Sequence, residues 1–299
     1  MDCEIRLSLL RPPLSLAFGV MFVVVSVLIV APNTLVLIML YRGNFTRKSY
    51  KFFVSLSLSD GLCGLTCAPL LAWQLFHEEA RVNCHIELIR RYFVMLFSGS
   101  SGLMLAVIAY DRYISLTKLN NYDLYMTKIK FRFLVAICWI CPALIPLLRF
   151  AGRMVYMSLG TIIFLFGSCS LFISYYCVGK AVKQHKICMK KYQRDFTIHH
   201  NSRTTISKNF QVSNDGYQNI EKTVLLLIIC HLICILPMFC WGTLEMLSIS
   251  YQVVDLKTSQ TLHVVSLFMI QFSSCVDPVI YFLKNPRFRK GLYHMVKCH

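Results

Sequence analysis

The sequence predicts an all-α integral membrane protein, a bundle of seven transmembrane helices with its N-terminus outside and a short amphipathic helix after the last span. Three observations predict this. Of 299 residues, 56 % are hydrophobic and only 15 % charged, where soluble domains average roughly 25 % charged; the mean hydropathy is +0.57. Seven segments stay mostly apolar over the ~20 residues that a spanning helix needs. The positive charge is unevenly placed: numbering the spans in order, 23 of the 31 Lys and Arg fall on the side that holds the first, third and fifth loops and the C-terminus. That side is cytoplasmic by the positive-inside rule.

The segments follow in order. Residues 1–13 form the extracellular N-terminus, ending in Pro12-Pro13. The first span, about 14–41, is too long for the apolar core of a signal peptide, and Arg42 stops it. Further spans lie at about 52–76, 86–116, 133–149, 155–179, 223–247 and 260–283. Together 14–283 form one membrane domain that uses most of the chain, with no internal repeat. Residues 284–299 make the cytoplasmic tail. There Phe288, Leu292, Met295 and Val296 form an apolar stripe beside Arg287, Arg289, Lys290 and Lys297, a pattern that lies on the inner leaflet. Cys298 is a candidate for palmitoylation.

The net charge of +17 does not point to nucleic acid, because it marks membrane sidedness. The basic run Lys180 to Lys191 fits either a solvated helix extension over anionic lipid or a contact with a cytoplasmic partner. Most of the fourteen cysteines fall inside apolar spans, where a thiol acts as a small hydrophobe. Cys3 and Cys84 are the extracellular pair available for a disulfide. Asn44-Phe45-Thr46 matches a glycosylation pattern but falls on the cytoplasmic side, where it is expected to stay unused.

Ionisable groups deep in spans are costly and therefore informative. Asp60 lies in the second span, and Asp277 in Asp277-Pro278-Val279-Ile280-Tyr281 ends the seventh. Asn33, Ser101, Ser273 and Ser274 offer partners from other spans. Two carboxylates with hydroxyl oxygens suit a hard cation such as Na+, or the carboxylates share a proton. Asp111-Arg112-Tyr113 ends the third span, with Arg112 twenty-six residues past Ile86 and hence ~39 Å along the helix. The tripeptide at that place, with the Asp-Pro-x-x-Tyr ending of the seventh span, resembles the rhodopsin-like (class A) G-protein-coupled receptors over nearly the whole chain. The resemblance implies no enzyme but a receptor that passes an extracellular signal to heterotrimeric G proteins, by outward movement of the sixth helix about Pro237. It implies an Asp111–Arg112 pair at rest. It assigns Tyr175 and Tyr281 to meet Arg112 in the active state, and Asn33, Asp60, Ser101, Ser273, Ser274 and Asp277 to a sodium pocket. It also implies a plasma-membrane location. Trp139 matches the family's fourth-span tryptophan and is expected to pack.

The chain departs from the family at several places. Ile235 stands where a tryptophan is usual, and Tyr217, flanked by Asp215 and Glu221, where an acid is usual. Gly167 replaces a proline and Pro32 a glycine. Glu87 holds the usual third-span cysteine position, and the loop around Phe150 to Arg153 has no cysteine, so the usual bridge there is not expected. A short second outer loop without cysteine resembles melanocortin receptors and their cannabinoid, adenosine and lipid-receptor relatives. These losses also fit a receptor-like decoy or partner subunit that does not signal. The ligand is expected between outer halves of the spans. Val94 at the amine-binding level disfavours a monoamine and leaves a small, lipid-like or peptide ligand. Candidates to contact it are Glu87, Arg90, Arg91, Ser98, Glu245, His263 and Gln271. Arg90 and Arg91 offer forks that match carboxylate or phosphate; alternatively they snorkel at the outer interface. A transporter lacks support without paired halves. For an intramembrane metalloenzyme, His231 and His263 have no ligand one turn away.

Overall fold

The computed structural model describes residues 10–43, 48–118, 121–147, 225–245, 247 and 255–284, with 169, 172–173, 176–181, 183–184 and 187–188. Among these residues the regular structure is helical throughout. The helices are α1 (Pro12–Arg42), α2 (Lys48–Phe76), α3 (Glu78–Val82), α4 (Cys84–Thr117), α5 (Tyr122–Tyr125), α6 (Lys128–Leu144), α7 (Leu225–Glu245) and α8 (Leu256–Lys284). Six of them, all but α3 and α5, are long and apolar enough to cross a membrane.

Their ends follow from local chemistry. Pro12 and Pro13 start α1, where a fixed φ fits and the missing N–H costs nothing. The Asn83 side chain accepts from the backbone N–H of His85 (3.0 Å) and Ile86 (3.3 Å) and so caps α4. Thr127 does the same for α6 through Lys130. The fourth span therefore begins at Lys128 rather than at 133. Lys128, Lys130 and Arg132 occupy the extra turn, where long cationic stems reach the interface; apolar content alone hid it.

The most apolar stretches of α2 and α8 are 56 % and 61 % buried, those of α1 and α6 only 28 % and 11 %. So α2, α4 and α8 form the centre, while α1 and α6 flank them with broad lipid-facing sides. Close approach relies on small residues. Ser26 donates to the Gly64 carbonyl at 2.7 Å, and a Cβ on Gly64 would sit 2.7 Å from Ile29. A Cβ on Gly99 would meet Pro142 of α6 at 3.0 Å, and one on Gly102 would meet His231 of α7 at 3.0 Å. Trp139 of α6 packs edge-on to Phe97 and donates to Ser55 of α2 at 2.9 Å.

Buried side chains of the inner half form one cluster. It takes Val36 from α1, Leu56 from α2, Leu105 and Ile108 from α4, Cys138 from α6, Leu227 and Ile228 from α7 and Ile280 from α8. Val178, in the fifth predicted segment, and Ala181, just past its end, belong to it too. Seven segments thus share one core, as expected of a seven-helix bundle.

Candidate functional site

Polar groups inside this apolar frame gather in three tiers, and α4 passes through all of them. At the inner end, Asp111 is 1 % exposed and Arg112 is 9 % exposed. Arg112 Nη2 donates to Asp111 Oδ2 at 2.6 Å. The other oxygen, Oδ1, accepts from the hydroxyl of Tyr122 at 2.5 Å. One carboxylate therefore ties α4 to α5 while holding the arginine. One residue earlier, Tyr110 accepts from Lys130 Nζ at 2.7 Å, and the ammonium also lies 5.0 Å from the ring centroid. The second inner loop, through Tyr122, and the first turn of α6, through Lys130, are thus fixed to α4 at two successive residues. Tyr113 points outward, 36 % exposed. Neither Tyr122 nor Lys130 was among the residues expected from the sequence, since each opens a helix with no motif around it.

In the middle tier, Asn33 of α1 donates to the carbonyls of Ile29 (2.9 Å) and Ser274 (3.0 Å). The Ser274 hydroxyl donates to Asp60 Oδ1 at 2.8 Å, and Ser101 and Asp277 adjoin the same carboxylate. Ser273 turns its hydroxyl to its own helix, donating to Ile270 at 2.7 Å. Asn33 Oδ1 is buried without a hydrogen-bond partner among the described residues, while Asp60, Ser101 and Asp277 face one another closely. Buried polar atoms are normally paired. Oxygens gathered from α1, α2, α4 and α8 have the chemistry that either a hard cation or a proton shared between two carboxylates requires.

The outer tier differs from the sequence expectation. Arg90 does not snorkel: it is fully buried, with Nε 3.1 Å from Glu87 Oε2 and Nη2 paired to Oε1. Burying a guanidinium requires a paired carboxylate, and Glu87, one turn earlier, supplies it. Arg91 Nε also pairs with Glu87 Oε1, and Gln74 of α2 donates to Oε2 at 3.3 Å. The clamp expected to grip a ligand thus grips an internal acid, and it links α2 to α4. Beside it, Cys84 is disulfide-bonded. Across the bundle, Trp241 stacks on His263 with centroids 4.1 Å apart. Its indole N–H donates to Ser259 (3.3 Å), which in turn donates to Glu245 (3.0 Å). His263 and Glu245 are therefore drawn together by Trp241 and Ser259, two residues the sequence reading passed over. Gln271 is fully buried with neither amide atom partnered. Val94 sits in the outer apolar cluster with Phe97, Leu71 and Val264, and Ser98 adjoins Cys63.

Other expected residues fall elsewhere. Pro237 and Ile235 lie within the unbroken α7. Tyr281 is in α8, but its side chain is outside the described residues. Cys3, Asn44, Gly167, Tyr175, Tyr217, the second outer loop and Cys298 are outside them as well.

Residues 32–156 match the family described as 7 transmembrane receptor (rhodopsin family). The chain is similar to Olfactory receptor 1N2 of Homo sapiens, at 26 % identity over 43 % of this chain and 42 % of that one. It is similar to Olfactory receptor 1G1 of Gorilla gorilla gorilla at 30 % identity, over 43 % and 41 %. A longer match, at 22 % identity, covers 84 % of this chain and 60 % of the Alpha-1A adrenergic receptor of Oryzias latipes. The chain thus spans about two fifths of the length of those olfactory receptors. These relatives speak for the class and not for the nearer resemblance to melanocortin receptors. The matched stretch holds Asn33, Asp60, Ser101 and the Asp111-Arg112-Tyr113 end of α4, and over that stretch, with six helices among the described residues long and apolar enough to span a membrane, the chain is similar to the rhodopsin-like, class A receptors.

Proposed function

We propose that the protein is a G-protein-coupled receptor of the plasma membrane rather than an enzyme. An extracellular ligand favours a state in which the inner half of α7 moves outward, and a heterotrimeric G protein docks at Arg112. The supporting observation is the Asp111 carboxylate, held between Arg112 and Tyr122 at the inner end of α4. A charge pair under such restraint has a defined released state, and a ligand that binds the released state more tightly shifts the population toward it. Tyr122 restrains the pair from the second inner loop, at a receptor whose sixth span lacks the usual acid. Pro237 removes one backbone hydrogen bond from α7, six residues beyond the His231–Gly102 contact, and gives the helix a pivot.

Several assignments belong to this reading. Tyr175 and Tyr281 receive Arg112 in the active state. Asn33, Asp60, Ser101, Ser274 and Asp277 hold Na+ at rest, the cation supplying the positive charge that two neighbouring carboxylates need; Ser273 lines the same turn. Cys3 is the partner of Cys84, and palmitoylated Cys298 anchors the tail.

The test is ligand-free signalling. Wild type and Arg112→Ala are expressed at matched surface levels, and G-protein dissociation is recorded across the main Gα classes. Wild-type activity abolished by Arg112→Ala is the expected result. Wild-type activity that survives Arg112→Ala refutes the role of Arg112. Silence from wild type with every Gα class, during a full ligand screen, favours the decoy reading that Ile235, Gly167 and the absent bridge to the second outer loop first raised.

A further inference from the structure

The basic run that opens at Lys180 has no part in the coupling reading, yet its first turns have a definite shape. Val178 and Ala181 are buried in the inner core. The opposite face of the same helical segment carries Tyr176, Gly179, Lys180, Lys183, Gln184 and Ile187, spaced three and four apart, and among the described residues these six line one cavity of about 550 Å3. Ligand sites run to ~300–1,000 Å3. Gly179 opens the groove, since nothing lies within 4 Å of a Cβ placed there. Both lysines are exposed, and neither pairs with an acid among the described residues. From Lys180 to Arg194 the sequence holds six Lys and Arg and neither Asp nor Glu. The depth of the groove follows from its neighbours. Phe172 and Ile173 are exposed and apolar, and Tyr176 follows, exposed in its turn; an aromatic ring with a polar tip marks the edge of the hydrocarbon. At ~1.5 Å per residue, Lys180 stands ~6 Å past that edge and Lys183 ~10 Å. The headgroup layer adds roughly 5–7 Å per leaflet, so Lys180 is at its phosphate level and Lys183 lies beyond it.

We propose that this groove binds the headgroup of an inner-leaflet phosphoinositide that carries phosphates on its inositol ring. The phosphodiester meets Lys180, the ring fills the space that Gly179 leaves, and a ring phosphate meets Lys183. An ammonium is a compact charge on a flexible stem, which suits two phosphates at different heights. Phosphatidylserine ends at the first level and reaches Lys180 alone. A free inositol phosphate lacks the acyl chains that lie beside Phe172 and Ile173. The inference goes beyond the coupling reading and uses only the sidedness that the positive charge of the chain sets.

The purified full chain in detergent is titrated into tail-labelled phosphatidylinositol bisphosphate, and binding is read by fluorescence anisotropy. Unlabelled bisphosphate is expected to compete best, with phosphatidylserine and soluble inositol trisphosphate each at least tenfold weaker. A lysine near an anionic membrane surface is worth ~1 kcal/mol, or about fivefold, so Lys180→Gln and Lys183→Gln are each expected to raise Kd about fivefold. Gly179→Leu fills the groove, leaves every charge in place, and is expected to raise Kd severalfold. Lys128→Gln removes an exposed cation from the same inner face, on α6, and is expected to leave Kd unchanged. The Tm of each variant confirms that the fold is kept. A loss in Lys128→Gln equal to that in Lys183→Gln, or no loss in Gly179→Leu, means a diffuse positive field and overturns the site. Phosphatidylserine competing as well as the bisphosphate overturns it too. Unchanged lipid affinity in the two lysine variants, with weaker G-protein dissociation, makes the run a protein contact and overturns the lipid site. The binding measurement uses no G protein, so its failure leaves the coupling reading intact, and failure of the Arg112→Ala test leaves this site standing.

Discussion

The Tyr122 hydroxyl and the Arg112 guanidinium share one carboxylate at the inner end of α4. Removing the hydroxyl leaves the ring in place and takes away one hydrogen bond to a charged group, ~1.5 kcal/mol, or about tenfold in the ratio of resting to released states. Tyr122→Phe is therefore expected to raise ligand-free G-protein dissociation severalfold at matched surface expression. Unchanged basal signalling, in a chain whose Arg112→Ala variant does lose it, would remove Tyr122 from the lock. Glu87 bears a different kind of weight. Glu87→Gln leaves two guanidiniums without a counter-charge, one of them fully buried, and breaking a buried pair costs ~3–5 kcal/mol. A large drop in Tm and in surface expression is expected, and Arg90→Gln placed on top of it is expected to recover part of both. The sequence marked Glu87, Arg90 and Arg91 as polar residues at an outer helix end. Their mutual pairing stayed hidden because spacings of three and four along a helix also suit independent snorkelling.

Helix packing here depends on where side chains are absent. Gly64 lets α1 approach α2, and any larger residue there drives a Cβ into Ile29 at 2.7 Å. Overpacking of this kind costs ~1–3 kcal/mol, so Gly64→Val is expected to lower Tm by several degrees. Gly179→Ala and Gly242→Ala, where nothing lies within 4 Å of the added methyl, serve as controls and are expected to be silent. A Tm for Gly64→Val equal to the controls would mean that α1 slides freely on α2. Gly102→Val tests α4 against α7 in the same way, with His231→Ala expected to relieve it. Element positions were legible in the sequence to within a few residues, because a spanning segment must satisfy its backbone internally and so must be a helix. The start of α6 was missed by five residues, since its first turn is paid out in cations that apolar content cannot register.

Viewed as a whole, the molecule stacks three polar sites along one 34-residue helix, α4, inside an otherwise apolar bundle. The middle one was legible: charges at membrane depth in separate spans predicted convergence, and Asp60, Ser101, Ser274 and Asp277 do converge with Asn33. The aromatic and amide partners were not, since Trp241, Ser259, Gln74 and Tyr122 are ordinary residues in ordinary places, and only the packing of distant segments gives them neighbours. If the middle site holds Na+, exchanging sodium for choline is expected to lower the Tm of wild type and to leave Asp60→Asn unaffected. Equal loss in both would assign the sodium effect to another site.

The shallow burial of α1 has a consequence for the bilayer itself. At ~1.5 Å per residue its 31 residues measure about 46 Å, well beyond the ~30 Å of hydrocarbon. A helix wedged on all sides could not adjust to that excess. With 28 % of its most apolar stretch buried, α1 has the freedom to tilt, and tilting is how a long span meets a thin membrane. Its lean, and with it the Asn33 hold on α8, becomes a function of lipid chain length. Reconstitution in short- and long-chain lecithins should then change the tilt of α1, and with it the Tm, without changing a single residue.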